Sequence, residues 1–136
     1  MPKLSAATRL FRLILQVADL DAAAAFHGKL LGAKGRRVHS SRHYFDCGSV
    51  ILALVDPSAD GKKPRPNPDF IYFAVQDLDK LHGRAKKLRC LSKDKVHGAP
   101  AGEIVKRPWG ERSFYASDPD GNRLCFVDAK TLFTGR

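Results

Sequence analysis

The strongest constraint on this chain is that it repeats itself. Leu13-Ile14-Leu15-Gln16-Val17-Ala18-Asp19-Leu20-Asp21 returns 58 residues later as Ile71-Tyr72-Phe73-Ala74-Val75-Gln76-Asp77-Leu78-Asp79, with the Val, both Asp and the Leu between them identical. A repeat at that distance predicts one supersecondary unit built twice. In each copy an apolar run rich in branched and aromatic residues stops at an Asp, and a helical pattern begins, as a strand feeding directly into a capped helix would read. Asp19 and Asp77 are placed to accept hydrogen bonds from the first-turn amides, and Asp21 and Asp79 to favour the positive end of the helix dipole. The second helix carries a stripe of Leu78, Leu81, Ala85 and Leu88, with Lys80, Arg84 and Lys87 turned away. The first has Leu20, Ala23, Ala24, Leu30 and Leu31 on a comparable face, and Gly32 to stop it.

After each helix come short segments that read as strands joined by tight turns. In the first half they lie near Lys34 to Val38, His43 to Cys47 and Ser49 to Val55; in the second, near Glu103 to Lys106, Arg112 to Ser117 and Arg123 to Val127. The expectation is an α+β fold of two tandem βαβββ modules, at about 10–56 and 69–129. Between them, residues 57–68 hold Pro57, Pro64, Pro66 and Pro68, which exclude regular helix or interior strand and predict a linker. Asp118-Pro119-Asp120-Gly121-Asn122 is a turn signal, Pro setting one φ and Gly supplying a positive one. One module cannot bury both faces of a four-stranded sheet alone, so side-by-side packing of the halves, or their exchange between subunits, is expected, and with it a homodimer. The 136 residues, 43% of them apolar, suit a single domain spanning 1–136.

The formal charge of +10 raises nucleic-acid binding, which draws much of its affinity from Lys and Arg. The basic residues cluster at Lys34 to Arg42, Lys62 to Arg65 and Arg84 to Lys95, the last on a helix and its exit, where a solvated face is the simpler reading. Nucleic acid is therefore not an expected partner. No apolar run approaches the ~20 residues that span a bilayer, and the first residues lack a secretory signal. Cys47, Cys90 and Cys125 follow no disulfide or zinc spacing, so a cytoplasmic protein with no membrane partner is expected.

The doubled Val-x-Asp-Leu-Asp, together with Pro108-Trp109-Gly110-Glu111-Arg112-Ser113-Phe114-Tyr115 and the Asp118-Pro119-Asp120-Gly121-Asn122 turn, resembles the vicinal oxygen chelate superfamily. That superfamily contains glyoxalase I, extradiol dioxygenases, fosfomycin-resistance enzymes and bleomycin-binding proteins. The resemblance runs from about Phe11 to Asp128 and implies two βαβββ modules whose mixed sheets curl around a cup, commonly in a dimer. It also implies a divalent metal held by His, Gln or Glu on inward strand positions. The positions that match are Arg12, Ala53, Phe70 and Cys125. Arg stays protonated, Ala and Phe have no donor atom, and one thiol does not make a site for a hard cation. A one-residue slip in register would add only Asp69. No metal and no other cofactor is expected, and no catalytic residue is assigned.

On the same implied geometry, Arg12, Phe70, Tyr72 and Cys125 would line the cup, with Trp109 and Tyr115 near its rim. An apolar, aromatic pocket with one fixed positive charge suits a planar or anionic small molecule. These residues would equally serve as a filled core, with Arg12 paired to a carboxylate such as Glu111. The order of functional expectations is a metal-free binding protein, then a lyase, isomerase or dioxygenase of the same family, then a basic module for acidic partners.

Overall fold

The two repeat copies become β1 (Arg12–Gln16) with α1 (Leu20–Leu31), and β5 (Ile71–Val75) with α2 (Leu78–Lys87), in the computed structural model, which describes residues 7–136. Both expected caps form: the Asp19 carboxylate accepts from Ala22 N at 3.0 Å and that of Asp77 from Lys80 N at 3.1 Å. Gly32, at φ 73°, ends α1 in the left-handed conformation that glycine adopts at least cost.

The first module continues with β2 (Arg36–His39), β3 (Arg42–Cys47) and β4 (Val50–Val55), giving a four-stranded sheet in the order β1-β4-β3-β2. The second holds a short hairpin of β6 (Lys95–Val96) and β7 (Ala99–Pro100), then β8 (Val105–Lys106), β9 (Arg112–Ser117) and β10 (Arg123–Asp128). Its sheet runs β5-β10-β9-β8, the same topology. In each sheet the repeat strand lies parallel to the last strand, with Ile14 opposite Ala53 and Tyr72 opposite Cys125. The β6–β7 hairpin is an addition to the expected order. The proline-rich segment opens with a 3-10 turn at Pro57–Asp60, its Pro at the first position, where no amide is needed.

Alternation within the strands sorts the side chains. Leu15 of β1, Phe45 of β3, Leu52 and Leu54 of β4, and Phe114, Leu124 and Phe126 of β9 and β10 are all buried on the helix-bearing faces. There they join Leu20, Leu30, Leu78 and Leu81 in one core shared by both modules. Each such side chain contributes roughly 1.5–3 kcal/mol by leaving water. Phe126 stacks between Phe73 and Phe114, with ring centroids 5.1 and 5.4 Å away.

The modules are also clasped by the Asp118–Asn122 turn. One Asp118 oxygen accepts from Asp120 N (3.0 Å) and Asn122 N (2.7 Å), and the other meets His27 Nε2 (3.0 Å) and Asn122 Nδ2 (2.9 Å). Asn122 Nδ2 also donates to Gln16 O, and Asp120 accepts from Ala18 N. The turn of the second module thus holds the strand–helix junction of the first. Burial pushes the Asp118 carboxyl up, but its bonds to His27 and Asn122 outweigh this and hold it below the usual range.

His27, on α1, is 1% exposed. Arg84, expected to turn away from the core, is half-buried and lies 3.5 Å from Leu30 O at the end of α1. Among the described residues no helix is long and apolar enough to cross a membrane.

Candidate functional site

The faces of the sheets opposite the helices are exposed along the repeat strands, at Arg12, Ile14, Tyr72 and Ala74, and covered on the neighbouring strands. On the second sheet that face is aromatic: Phe70 packs edge-on to Tyr115 (4.8 Å between centroids), and Tyr72 faces the same ring at 6.5 Å. Tyr115 is 3% exposed and Cys125 fully buried, forming with Ala101 and Val127 a small apolar cluster that Phe70 and Val96 flank. Tyr72 is 57% exposed, so one aromatic face of this layer remains free. Beside it opens a cavity of about 590 Å³ lined by Tyr72, Ala74, Trp109, Glu111, Val127 and Phe133. Its wall is set by Glu111, whose carboxylate accepts from Trp109 Nε1 (2.7 Å) and Phe133 N (2.9 Å).

Burial governs the chemistry of this face. The Cys125 thiol is pushed up to about 12 by burial, against the opposing influence of Ser113, Tyr115 and Arg107. Tyr115 is raised as well, by burial first and then by the neighbouring Cys125 and Tyr72. Burial thus favours the neutral form of both groups, and Cys125 lies outside the electropositive, partly exposed surroundings that activate a cysteine nucleophile.

The open face of the first sheet differs. Arg12 is exposed, its guanidinium over the rings of Phe11 (4.8 Å) and Tyr44 (5.6 Å). The burial cost that would have demanded an acidic partner for Arg12 does not arise, and Glu111 is engaged by Trp109 and Phe133 instead. Ala53 is fully buried. Arg12, Ala53, Phe70 and Cys125 therefore offer one cation, two groups without donors and one neutral thiol, which do not fit the divalent metal that the resemblance implies. Among the described residues no three His, Cys, Asp or Glu side chains gather as a metal-binding group. Two of the histidines are engaged by backbone carbonyls: His43 Nε2 meets Lys34 O and His82 Nε2 meets Gly102 O, both at 2.9 Å.

Of the six residues singled out from sequence, Phe70, Tyr72, Tyr115 and Cys125 come together, and Tyr72 shares the neighbouring cavity with Trp109. Arg12 lies on the other sheet. What sequence reasoning missed is Arg107, 2% exposed, with its guanidinium 5.0 Å from the Tyr115 ring. It sits just before Pro108-Trp109-Gly110, and nothing in the sequence separates it from the many surface arginines. The β6–β7 hairpin left one faint sign, the His97-Gly98 pair, whose φ values of 50° and 76° suit a two-residue hairpin turn.

Comparison with known proteins agrees with the fold. The sequence profile of the Glyoxalase/Bleomycin resistance protein/Dioxygenase superfamily matches residues 9–126. The chain is 28% identical over 120 residues to the metallothiol transferase FosB of Lysinibacillus sphaericus strain C3-41, covering 84% of this chain and 77% of that protein. Among solved structures it is similar to oxidase ChaP-H1 (TM-score 0.73, 28% identity, 95% of this chain and 99% of that one). It is also similar to a lactoylglutathione lyase from Agrobacterium tumefaciens (TM-score 0.63, 25% identity, 90% and 95%).

Proposed function

The chain belongs to the glyoxalase/bleomycin resistance protein/dioxygenase superfamily, and from that premise we propose that it binds an aromatic or anionic small molecule on the open face of its second sheet, without the family's metal. The observation that carries this reading is the aromatic layer of Phe70, Tyr72 and Tyr115 beside the Trp109 cavity, with Phe70 and the neighbouring Cys125 at two of the positions where the family's ligand set would stand. A planar ligand laid on Tyr72 gains offset stacking worth about 0.5–1.5 kcal/mol beyond the area it buries. Trp109, fixed by its bond to Glu111, supplies a second rigid wall.

The exposed Phe11 and Ile14 support a homodimer in which a second copy covers part of the first sheet's face. Sedimentation at micromolar concentration tests it: a monomer throughout refutes the dimer and leaves the binding site untouched.

The test of the function is a thermal-shift panel of planar aromatic compounds. A ligand at 100 times its Kd stabilises by about 2.7 kcal/mol. Tyr72→Ala and Trp109→Ala are each expected to remove most of that shift, and a ligand that stabilises wild type and both variants alike refutes the proposed face. A second reading, an enzyme of the same family, draws on the 28% identity to a metallothiol transferase and to an oxidase. It predicts turnover lost to a chelator and restored by added metal.

A further inference from the structure

Arg107 is a buried cation with no counter-charge among the described residues. Its Nε donates to Ser113 Oγ (3.0 Å), and its Nη2 reaches Ser113 O (2.9 Å), Glu103 O (3.3 Å) and Ala101 O (3.4 Å). All of these acceptors are neutral. Nη1 is buried and has no hydrogen-bond partner among the described residues. The carboxylates nearby are committed or turned out: Glu111 holds Trp109 and Phe133, Asp128 meets Arg112, and Glu103 is exposed and offers only its backbone carbonyl. Cys125 and Tyr115, beside the guanidinium, are neutral for the reasons given above. A guanidinium cannot shed its proton to escape the cost of burial, and an unpaired charge out of water is expensive.

Its position gives that unpaired donor a use. The guanidinium covers the Tyr115 ring, and that ring is packed by Phe70 and faced by Tyr72, so the cation forms one end of the aromatic layer. Resting on the reading that this face holds a small molecule, we propose that the ligand is an aromatic carboxylate, its ring on the Tyr72 side and its carboxylate bonded to Arg107 Nη1. The carboxylate supplies both the missing acceptor and the missing negative charge. Entry requires the β6–β7 hairpin to lift. Ala101, the residue after β7, is one of the guanidinium's acceptors and is tied down by bonds from its N to Asp94 O (2.9 Å) and from Tyr115 N to its O (2.8 Å). It is therefore the tip that lifts, held by two residue pairs, by Val96 on the Tyr115 cluster and by the edge of His97 against Trp109 (5.1 Å). So short a hairpin is marginally stable by itself.

The experiment compares benzoate, benzamide and acetate by calorimetry on the full chain. Benzoate is expected to bind at least about tenfold more tightly than benzamide, and Arg107→Met to abolish that preference while benzamide binding persists. Should Arg107→Met fail to fold, the wild-type comparison still decides, together with the Arg107 guanidinium ¹⁵N resonances, which benzoate shifts and benzamide does not. Equal binding of benzoate and benzamide overturns the anion site and leaves the aromatic face standing. Acetate binding that is lost in Arg107→Met, with no benefit from the ring, supports the anion site and refutes the aromatic reading. Silence from all three probes at tens of millimolar overturns both.

Discussion

Replacing Asp118 by Asn keeps the shape of the clasp between the modules and removes its charge. The amide oxygen still accepts from Asp120 N and Asn122 N, but the new NH₂ points at Asn122 Nδ2 and His27 Nε2, which the carboxylate had served at 2.9 and 3.0 Å. His27 can answer by changing tautomer; the Asn122 amide nitrogen cannot accept. One buried bond becomes a donor–donor contact, at about 1–3 kcal/mol, and the remaining bonds lose their charge assistance. We expect a total loss of about 3 kcal/mol, a fall in melting temperature of roughly 10 °C for a chain this size. Urea unfolding followed by Trp109 fluorescence measures it. Asp120→Ala, which removes only the bond to Ala18 N, is the control and should cost under about 1 kcal/mol. Because the Asp118 carboxyl is lowered in the folded chain, its contribution is complete above the ordinary carboxylate value and is lost as pH falls through the depressed one. The gap between wild type and Asp118→Asn should therefore hold at neutral pH and close only in acid. A loss below about 1 kcal/mol at neutral pH refutes the clasp.

Other outcomes follow from particular positions. Gly35, at φ 65°, leaves no room: a Cβ there would lie 2.5 Å from Tyr44 O and 2.8 Å from Phe45 Cδ1, whereas at Gly48, also φ 65°, it would meet nothing within 4 Å. Gly35→Ala should cost about 3 kcal/mol and Gly48→Ala about 1, the left-handed backbone alone accounting for the latter; equal losses in chemical denaturation contradict this. Burial raises the Cys90 thiol to about 11 and that of Cys125 to about 12, while Cys47 is half-buried. A thiol reagent at pH 8 should modify Cys47 first and the other two only on unfolding; rapid modification of Cys125 in the native chain refutes its burial.

The modules were legible because their signals are local. Cap, stripe and stop lie within a few residues of one another, and the repeat doubles each signal, so β1–α1 and β5–α2 follow directly. What escaped depends on contacts distant in sequence. His27 looks like any polar residue on an alanine-rich helix, and only Asp118, 91 residues away, explains its burial. Arg107 likewise differs from its 23 basic companions only by the backbone carbonyls folded around it. The charge expected of Arg12 is present on the aromatic face, but on a residue from a loop rather than from the repeat strand. Short strands such as β6 and β7 carry no alternation long enough to read.

The central claim is a binding face in the family's fold whose ligand positions do not hold a metal. Elemental mass spectrometry of tag-free protein, purified without chelator, tests it most directly. Trace, substoichiometric metal is the predicted result; near-stoichiometric nickel, zinc, manganese or iron, lost when Cys125 is replaced by Ala, contradicts it.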